Sequence, residues 1–219
     1  MKERVLTPEI LDSLPTEDPK ARRSRRDLAF INCLMGNYAW LARRMAAPGL
    51  EGPRAWMEIG AGDGPVRNVL SPSDLERLSV AGVDLAPRPE AWPPGWAWHR
   101  GDLFEVLRDL DPPETPEGVA ANLFLHHFQD SQLRELGALM NDRFARALFV
   151  EPARYSLFRI LGYGLFPFIN DVTRHDLQAS VSAGFRPGEL GGILGLDASW
   201  QWRESVTSLG AYRFEAWRE

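Results

Sequence analysis

Residues 58–64, Glu-Ile-Gly-Ala-Gly-Asp-Gly, set three glycines at alternate positions, with the carboxylate of Glu58 before them and that of Asp63 among them. Glycines at this density let a chain turn tightly and let a ligand approach bare backbone. The run Ala55–Ile59 before them is apolar, so the turn falls where a strand ends. Strand-to-helix turns without a ligand use glycine too, and the distal acid decides between the two. Asp84 closes a second apolar run 20 residues after Gly64, where a carboxylate can accept hydrogen bonds from both hydroxyls of a ribose. Glycine turn and distal acid together signal a ligand that contains adenosine. A second group able to do chemistry is the pair His126 and His127, which follows the run Ala120–Leu125. A neutral imidazole there can take a proton from a hydroxyl, and it can equally order its loop by bonding to backbone. His175, followed by Asp176, is a third candidate for proton transfer. None of these, nor His99, has the spacing to cysteine or acid that marks a metal site, so no metal is expected.

The elements that must position these residues are short apolar runs alternating with helical patterns. Strands are expected over 55–60, 79–85, 96–102, 118–125 and 147–152, with the clearest helix over 130–144. Such alternation builds a parallel sheet. The stretches 200–208 and 211–218 alternate in polarity around Leu209-Gly210 and read as a terminal hairpin, which adds an antiparallel strand. The proline-rich stretches 86–95 and 110–118 read as loops. Upstream, Leu28, Ile31, Leu34, Met35, Tyr38, Leu41 and Met45 recur at helical spacing and predict one apolar helix face. With 219 residues and 44% hydrophobic content the chain can bury one core. Its net charge of -5 gives no global pull toward nucleic acid or an anionic membrane. A single cysteine and an N-terminus without an apolar leader predict a cytoplasmic protein. The apolar stretch 157–169 is too short to span a bilayer.

The ligand can be narrowed by charge. A dinucleotide fingerprint has glycines at G-x-G-x-x-G and favours bare amides toward a pyrophosphate. Here the third glycine comes one residue early, and Glu58 and Asp63 favour the ammonium and sulfonium of S-adenosyl-L-methionine (SAM). The order of motifs over about 55–218, EIGAGDG, GVDLAP, RGDLFE and ANLFLHHFQD, resembles that of the class I SAM-dependent methyltransferases of small-molecule type. The resemblance implies a Rossmann-like α/β fold with a seven-stranded, mostly parallel sheet, an antiparallel last strand and helices on both faces. It implies that Glu58, Gly60, Ala61, Gly62 and Gly64 hold the amino-acid end of SAM, and that Asp84, with Leu85 beside it, holds the ribose. Asp102 would bind the adenine amino group, Leu103 would line the ring, and the backbone near Asn122 would close the methionine side; S-adenosyl-L-homocysteine (SAH) would be the product. Taken alone, Asp102 is equally a helix N-cap and Asn122 an internal hydrogen-bonding residue.

Three segments are expected: a helical cap or lid over 1–54, a catalytic domain over 55–219, and within it an acceptor-pocket insertion over 153–198. In that insertion Phe158, Tyr163, Phe166 and Phe168 would make an apolar pocket, with Arg174, His175 and Asp176 as its polar groups; the aromatics could instead be core. The Asn/Asp-Pro-Pro-aromatic motif of nucleic-acid amino methylation is absent after the fourth strand. Methyl transfer to the oxygen of a small aromatic or lipophilic acceptor is therefore expected, with a histidine of the set His126, His127 and His175 assisting. Two alternatives stay open. The basic run over 20–26 could bind RNA, or the fold could be kept for binding without turnover. Nucleic acid and membrane are not expected partners, and no oligomeric state follows.

Overall fold

The computed structural model describes residues 3–15, 17–47, 54–110 and 116–218. Seven strands form one sheet: β1 (Arg54–Ile59), β2 (Leu78–Asp84), β3 (Trp98–Arg100), β4 (Gly118–Asn122), β5 (Arg146–Pro152), β6 (Gln201–Val206) and β7 (Ala211–Trp217). Their order is β3-β2-β1-β4-β5-β7-β6, with β7 antiparallel to both of its neighbours and every other pair parallel. The chain builds outward from β1 in one direction and then, from β4, in the other. The carboxyl ends of β1 and β4 therefore part, and a crevice opens between them. β5 lies between β4 and β7 and is buried along nearly all of its length, which explains the apolar run Ala147–Val150.

The helices are α1 (Ile10–Ser13), α2 (Pro19–Met35), α3 (Asn37–Met45), α4 (Pro72–Arg77), α5 (Leu103–Asp109), α6 (Asp130–Arg143), α7 (Ser156–Gly162), α8 (Asp171–Ala183) and α9 (Leu190–Leu194). One face of the sheet packs Met57, Ile59, Val119 and Phe149 against Leu107 of α5, Leu133 and Met140 of α6 and Leu194 of α9. The other packs Trp56, Val80, Ala120 and Leu148 against Trp40, Leu41 and Met45 of α3. At the closest point of the first layer, a Cβ on Gly137 of α6 would stand 1.7 Å from the Leu194 carbonyl, so only glycine permits that approach.

Two sequence expectations change. The apolar stripe over 28–45 does not run along one helix: Gly36, at φ +66°, ends α2 and starts α3. The two halves then serve different purposes, α3 packing on the sheet while Leu34 of α2 stays half exposed. The fourth strand ends at Asn122, before the expected Leu125. Leu123 takes φ +53°, and Leu125–His127 wind into a 3-10 turn. Its cause lies across the sheet. The fully buried carboxylate of Glu151 accepts the N–H groups of Phe124 (3.0 Å), Leu125 (2.7 Å) and His126 (3.3 Å), offering the backbone partners that a strand would have found elsewhere.

The loop after β2 follows the proline signal, whereas residues 111–115 of the other proline-rich loop, and residues 48–53 at the expected segment boundary, lie outside the described residues. α2 is tied to α8: Asp27 accepts the Asn170 N–H at 2.8 Å, and Thr173 donates to Ser24 at 2.9 Å. Among the described residues no helix is long and apolar enough to cross a membrane.

Candidate active site

The glycine turn is built as its spacing suggests. Gly60, Gly62 and Gly64 all have positive φ, at 63°, 51° and 59°, conformations that side chains with a Cβ rarely adopt. Gly60 lies directly beneath the Phe124 ring, 2.2 Å from where a Cβ would sit, whereas the space above Gly62 is open. Asp84 holds the turn in place, one carboxylate oxygen accepting the Gly62 N–H at 2.8 Å and the other the Ala86 N–H at 2.8 Å. Each oxygen keeps the capacity to accept a further hydrogen bond. Leu85 beside it is largely exposed. Asp102 caps α5 by accepting the N–H groups of Phe104 (2.9 Å) and Glu105 (3.2 Å), and Leu103 is buried in the core.

Glu58 is the unusual group. It is buried on the α3 side of the sheet, in register with Ala120, and its Oε2 has no hydrogen-bond partner. Burial, assisted by Asp84 and partly offset by Arg67, pushes its carboxyl up to about 8. On the same face, Asn122 donates to Asn32 Oδ1 at 3.1 Å, and Asn37 donates to that same oxygen at 2.9 Å. The carbonyl oxygens of Asn37 and Asn122 are also buried without partners. Three orphan acceptors on one side of the crevice are a cost, because buried polar atoms are normally satisfied. Such a set of acceptors has the chemistry to receive a group with several N–H donors and a positive charge. Tyr38 of α3 stands near Glu58 and Asp63, and burial together with these acids raises its hydroxyl pKa, which keeps it a neutral donor.

Beyond the crevice lies an apolar cavity of about 380 Å³. α2 supplies Leu28, Ile31, Leu34 and Met35, α7 and the turn after it supply Phe158 and Leu165, α8 supplies Leu177 and Val181, and Leu123 closes one wall. Ser180 is the single polar side chain in this lining. Of the four aromatics expected there, only Phe158 takes part; Tyr163 and Phe166 pack edge to face with centroids 4.9 Å apart, and Phe168 is exposed. The expected polar trio also lies elsewhere. Arg174 donates to the Phe166 carbonyl at 2.9 Å, Asp176 accepts the N–H groups of Ile10 and Leu11, and His175 is exposed with Nδ1 2.9 Å from Asp176. α8 turns these residues toward the N-terminal arm, and its apolar face toward the cavity.

His126 is buried between two carboxylates, with Nδ1 2.7 Å from Glu151 and Nε2 3.3 Å from Glu9. Burial lowers its pKa, but the hydrogen bonds to Glu151 and Glu9 outweigh burial and push it up to about 9. His127 packs beside it with its ring tilted and centroids 4.3 Å apart, its pKa lowered by burial and by His126. Neither ring lines the cavity. Sequence reasoning missed Asn32, Asn37, Phe124, Glu9 and Glu151. Only Glu151 carried a signal, an acid inside an otherwise apolar strand.

No protein-family model and no curated protein matches this chain. Solved structures do. The plantazolicin methyltransferase BamL, in complex with a triazolic desmethylPZN analog and SAH, is 12% identical with a TM-score of 0.69, covering 94% of this chain and 91% of its own. The plantazolicin methyltransferase BpumL in complex with SAH is 10% identical, TM-score 0.66, over 93% and 91%. Human N-acetylserotonin methyltransferase in complex with SAM is 14% identical, TM-score 0.53, over 95% of this chain and 61% of its own. With the strand order, the glycine turn and Asp84 at its crevice, the chain has the fold of the class I SAM-dependent methyltransferases.

Proposed function

We propose that this protein transfers the methyl group of SAM to an oxygen of a small, apolar acceptor. The observation that carries the proposal is the junction of two unlike sites: a crevice with three unpaired acceptor atoms, Glu58 Oε2, Asn37 Oδ1 and Asn122 Oδ1, beside a cavity lined almost wholly by hydrocarbon. When bound, SAM supplies a methyl group on a positively charged sulfur, open to attack by a nucleophile. Glu58 and the two asparagines would receive its ammonium, the glycine turn its backbone, and Asp84 its ribose hydroxyls. Asp102 and Leu103 would flank the adenine.

The chain's own contribution is alignment. Leu28, Ile31 and Leu34 of α2 and Leu177 and Val181 of α8 exclude water and fix the acceptor, so that two reactants meet at an effective concentration far above that in solution. A charged acceptor would lose its hydration in this cavity with nothing but Ser180 to replace it, which selects neutral, lipophilic molecules. The base role expected for the histidines is not part of this reading, since both nitrogens of His126 face carboxylates and His175 is exposed.

The test is calorimetric titration with SAM and SAH, after mass spectrometry for carried-over ligand. Binding of both is expected, with Asp84→Ala weakening each by at least about tenfold, equivalent to 1.4 kcal/mol for the lost charged hydrogen bonds. Labelled SAM should then methylate neutral phenols or lipophilic alcohols in preference to their charged analogues. A ligand-free preparation that binds neither compound would sink the proposal.

A further inference from the structure

We infer that Glu9, His126, His127 and Asp12 form a zinc site that fastens the N-terminal arm to the loop after β4. The ligand atoms of Glu9, His126 and His127 all lie within 4.8 Å of one another. Between His126 Nε2 and Glu9 Oε1 the separation is 3.3 Å. Metal–ligand bonds of about 2.0–2.1 Å place neighbouring ligands of a tetrahedron about 3.3 Å apart, so this edge already has the span that zinc requires. Asp12 lies outside this trio, exposed, with its Oδ2 3.6 Å from His127 Nδ1, and a turn of its side chain brings it in as the fourth ligand when the ion binds.

The groups behind these ligands are those that a metal site needs. Glu151 lies 2.7 Å from His126 Nδ1, which fixes the proton on that nitrogen and turns the Nε2 lone pair toward Glu9. The carboxylate is itself held by three backbone N–H groups, and Ser180 donates to Glu9. Two imidazoles and two carboxylates, with no thiolate, suit zinc; magnesium and calcium prefer all-oxygen shells. His126 is almost wholly buried, as in a closed structural site. Without metal, a proton shared between Nε2 and Glu9 takes the cation's place. The arm is already docked by Arg4, which donates to the carbonyls of Phe128 and Ala183, and by Val5, which donates to Ser182. Zinc adds a link between residues that the chain separates by more than a hundred positions. None of the four ligands belongs to the proposed SAM crevice or lines the acceptor cavity, so this site and the proposed function stand or fall separately.

The experiment titrates chelator-stripped full-length protein with zinc by calorimetry and with cobalt by visible absorption, which reports coordination number. One equivalent of each, with the ligand-field spectrum of a four-coordinate site, is expected. Glu9→Gln and His127→Ala, each checked for native circular dichroism, should weaken both metals by at least about 100-fold, and Glu151→Gln by about 10–100-fold. Cys33→Ser, which removes the exposed thiol, should change nothing. No binding to the wild type, equal binding to Glu9→Gln and His127→Ala, or loss of the cobalt spectrum in Cys33→Ser would each overturn the site.

Discussion

A carboxylate placed where it cannot be comfortable is the most informative residue of this chain. Glu58 is buried, one of its oxygens is unpaired, and its neighbours are Asp84, Arg67 and the neutral Tyr38. In the unfolded chain its carboxyl titrates near 4.3, and in the folded one near 8. The folded state therefore holds a proton that the unfolded state releases. Its contribution to stability is complete below about pH 4.3 and is lost as pH rises through 8. Ligand-free wild type should show a melting temperature that falls between pH 5 and 8, and Glu58→Gln should flatten that fall. Identical pH profiles for the two proteins would refute the assignment. An ammonium ligand reverses the preference, because it binds the ionised carboxylate. SAM binding at pH 7 should thus release protons, seen as a calorimetric heat that changes with the ionisation enthalpy of the buffer, and Glu58→Gln should abolish the release.

At the scale of elements, the sheet and its glycine turn were legible in the sequence because both rest on local signals: short apolar runs, an alternating terminal hairpin, three glycines and an acid at the right distance. What remained hidden depends on contacts between distant segments. The early end of β4 is imposed by Glu151 on the next strand, and the break at Gly36 is read correctly only when α3 is seen on the sheet and α2 over the cavity. Aromatics grouped in the sequence over 158–168 were expected to line the pocket; of these only Phe158 does, and most of the wall is aliphatic side chains from α2, α7 and α8, since facing helices enclose space that one short segment cannot. Leu34 tests this view of α2. Its side chain lines the cavity and is half exposed, so Leu34→Glu should fold with little loss of stability. A carboxylate in the cavity wall should lower kcat/KM for a neutral lipophilic acceptor by at least about tenfold, the effect of 1.4 kcal/mol, while SAM affinity stays within about twofold. Equal acceptor kinetics in the two proteins would move the acceptor elsewhere.

Across the whole molecule, charge bears on the choice between the proposed small acceptor and RNA. The net charge is -5, yet five basic residues cluster over 20–26. Three of them are committed within the protein: Lys20 pairs with Asp171 at 2.6 Å, Arg22 with Glu17, and Arg23 with Asp27 at 2.9 Å while also donating to the Phe168 carbonyl. The bonds of Lys20 to Asp171 and of Arg23 to the Phe168 carbonyl join α2 to α8 and to the segment before it, while the other two are local to α2 and the turn that leads into it. Arg25 and Arg26 lie with Arg22 beside Asp63 of the glycine turn. An RNA-binding stripe would need its cations free to release counterions from phosphate, and its affinity would then fall steeply with salt. A cluster spent on internal carboxylates beside an acidic turn has little left to offer. Structured and single-stranded RNA should show no binding at physiological salt, and lowering the salt should recover only weak association common to all sequences. Neutralising Arg25 and Arg26 to glutamine should leave that residual association unchanged within about twofold. Tight RNA binding whose salt slope shrinks in that double variant would give the basic run a nucleic-acid role and displace the small acceptor.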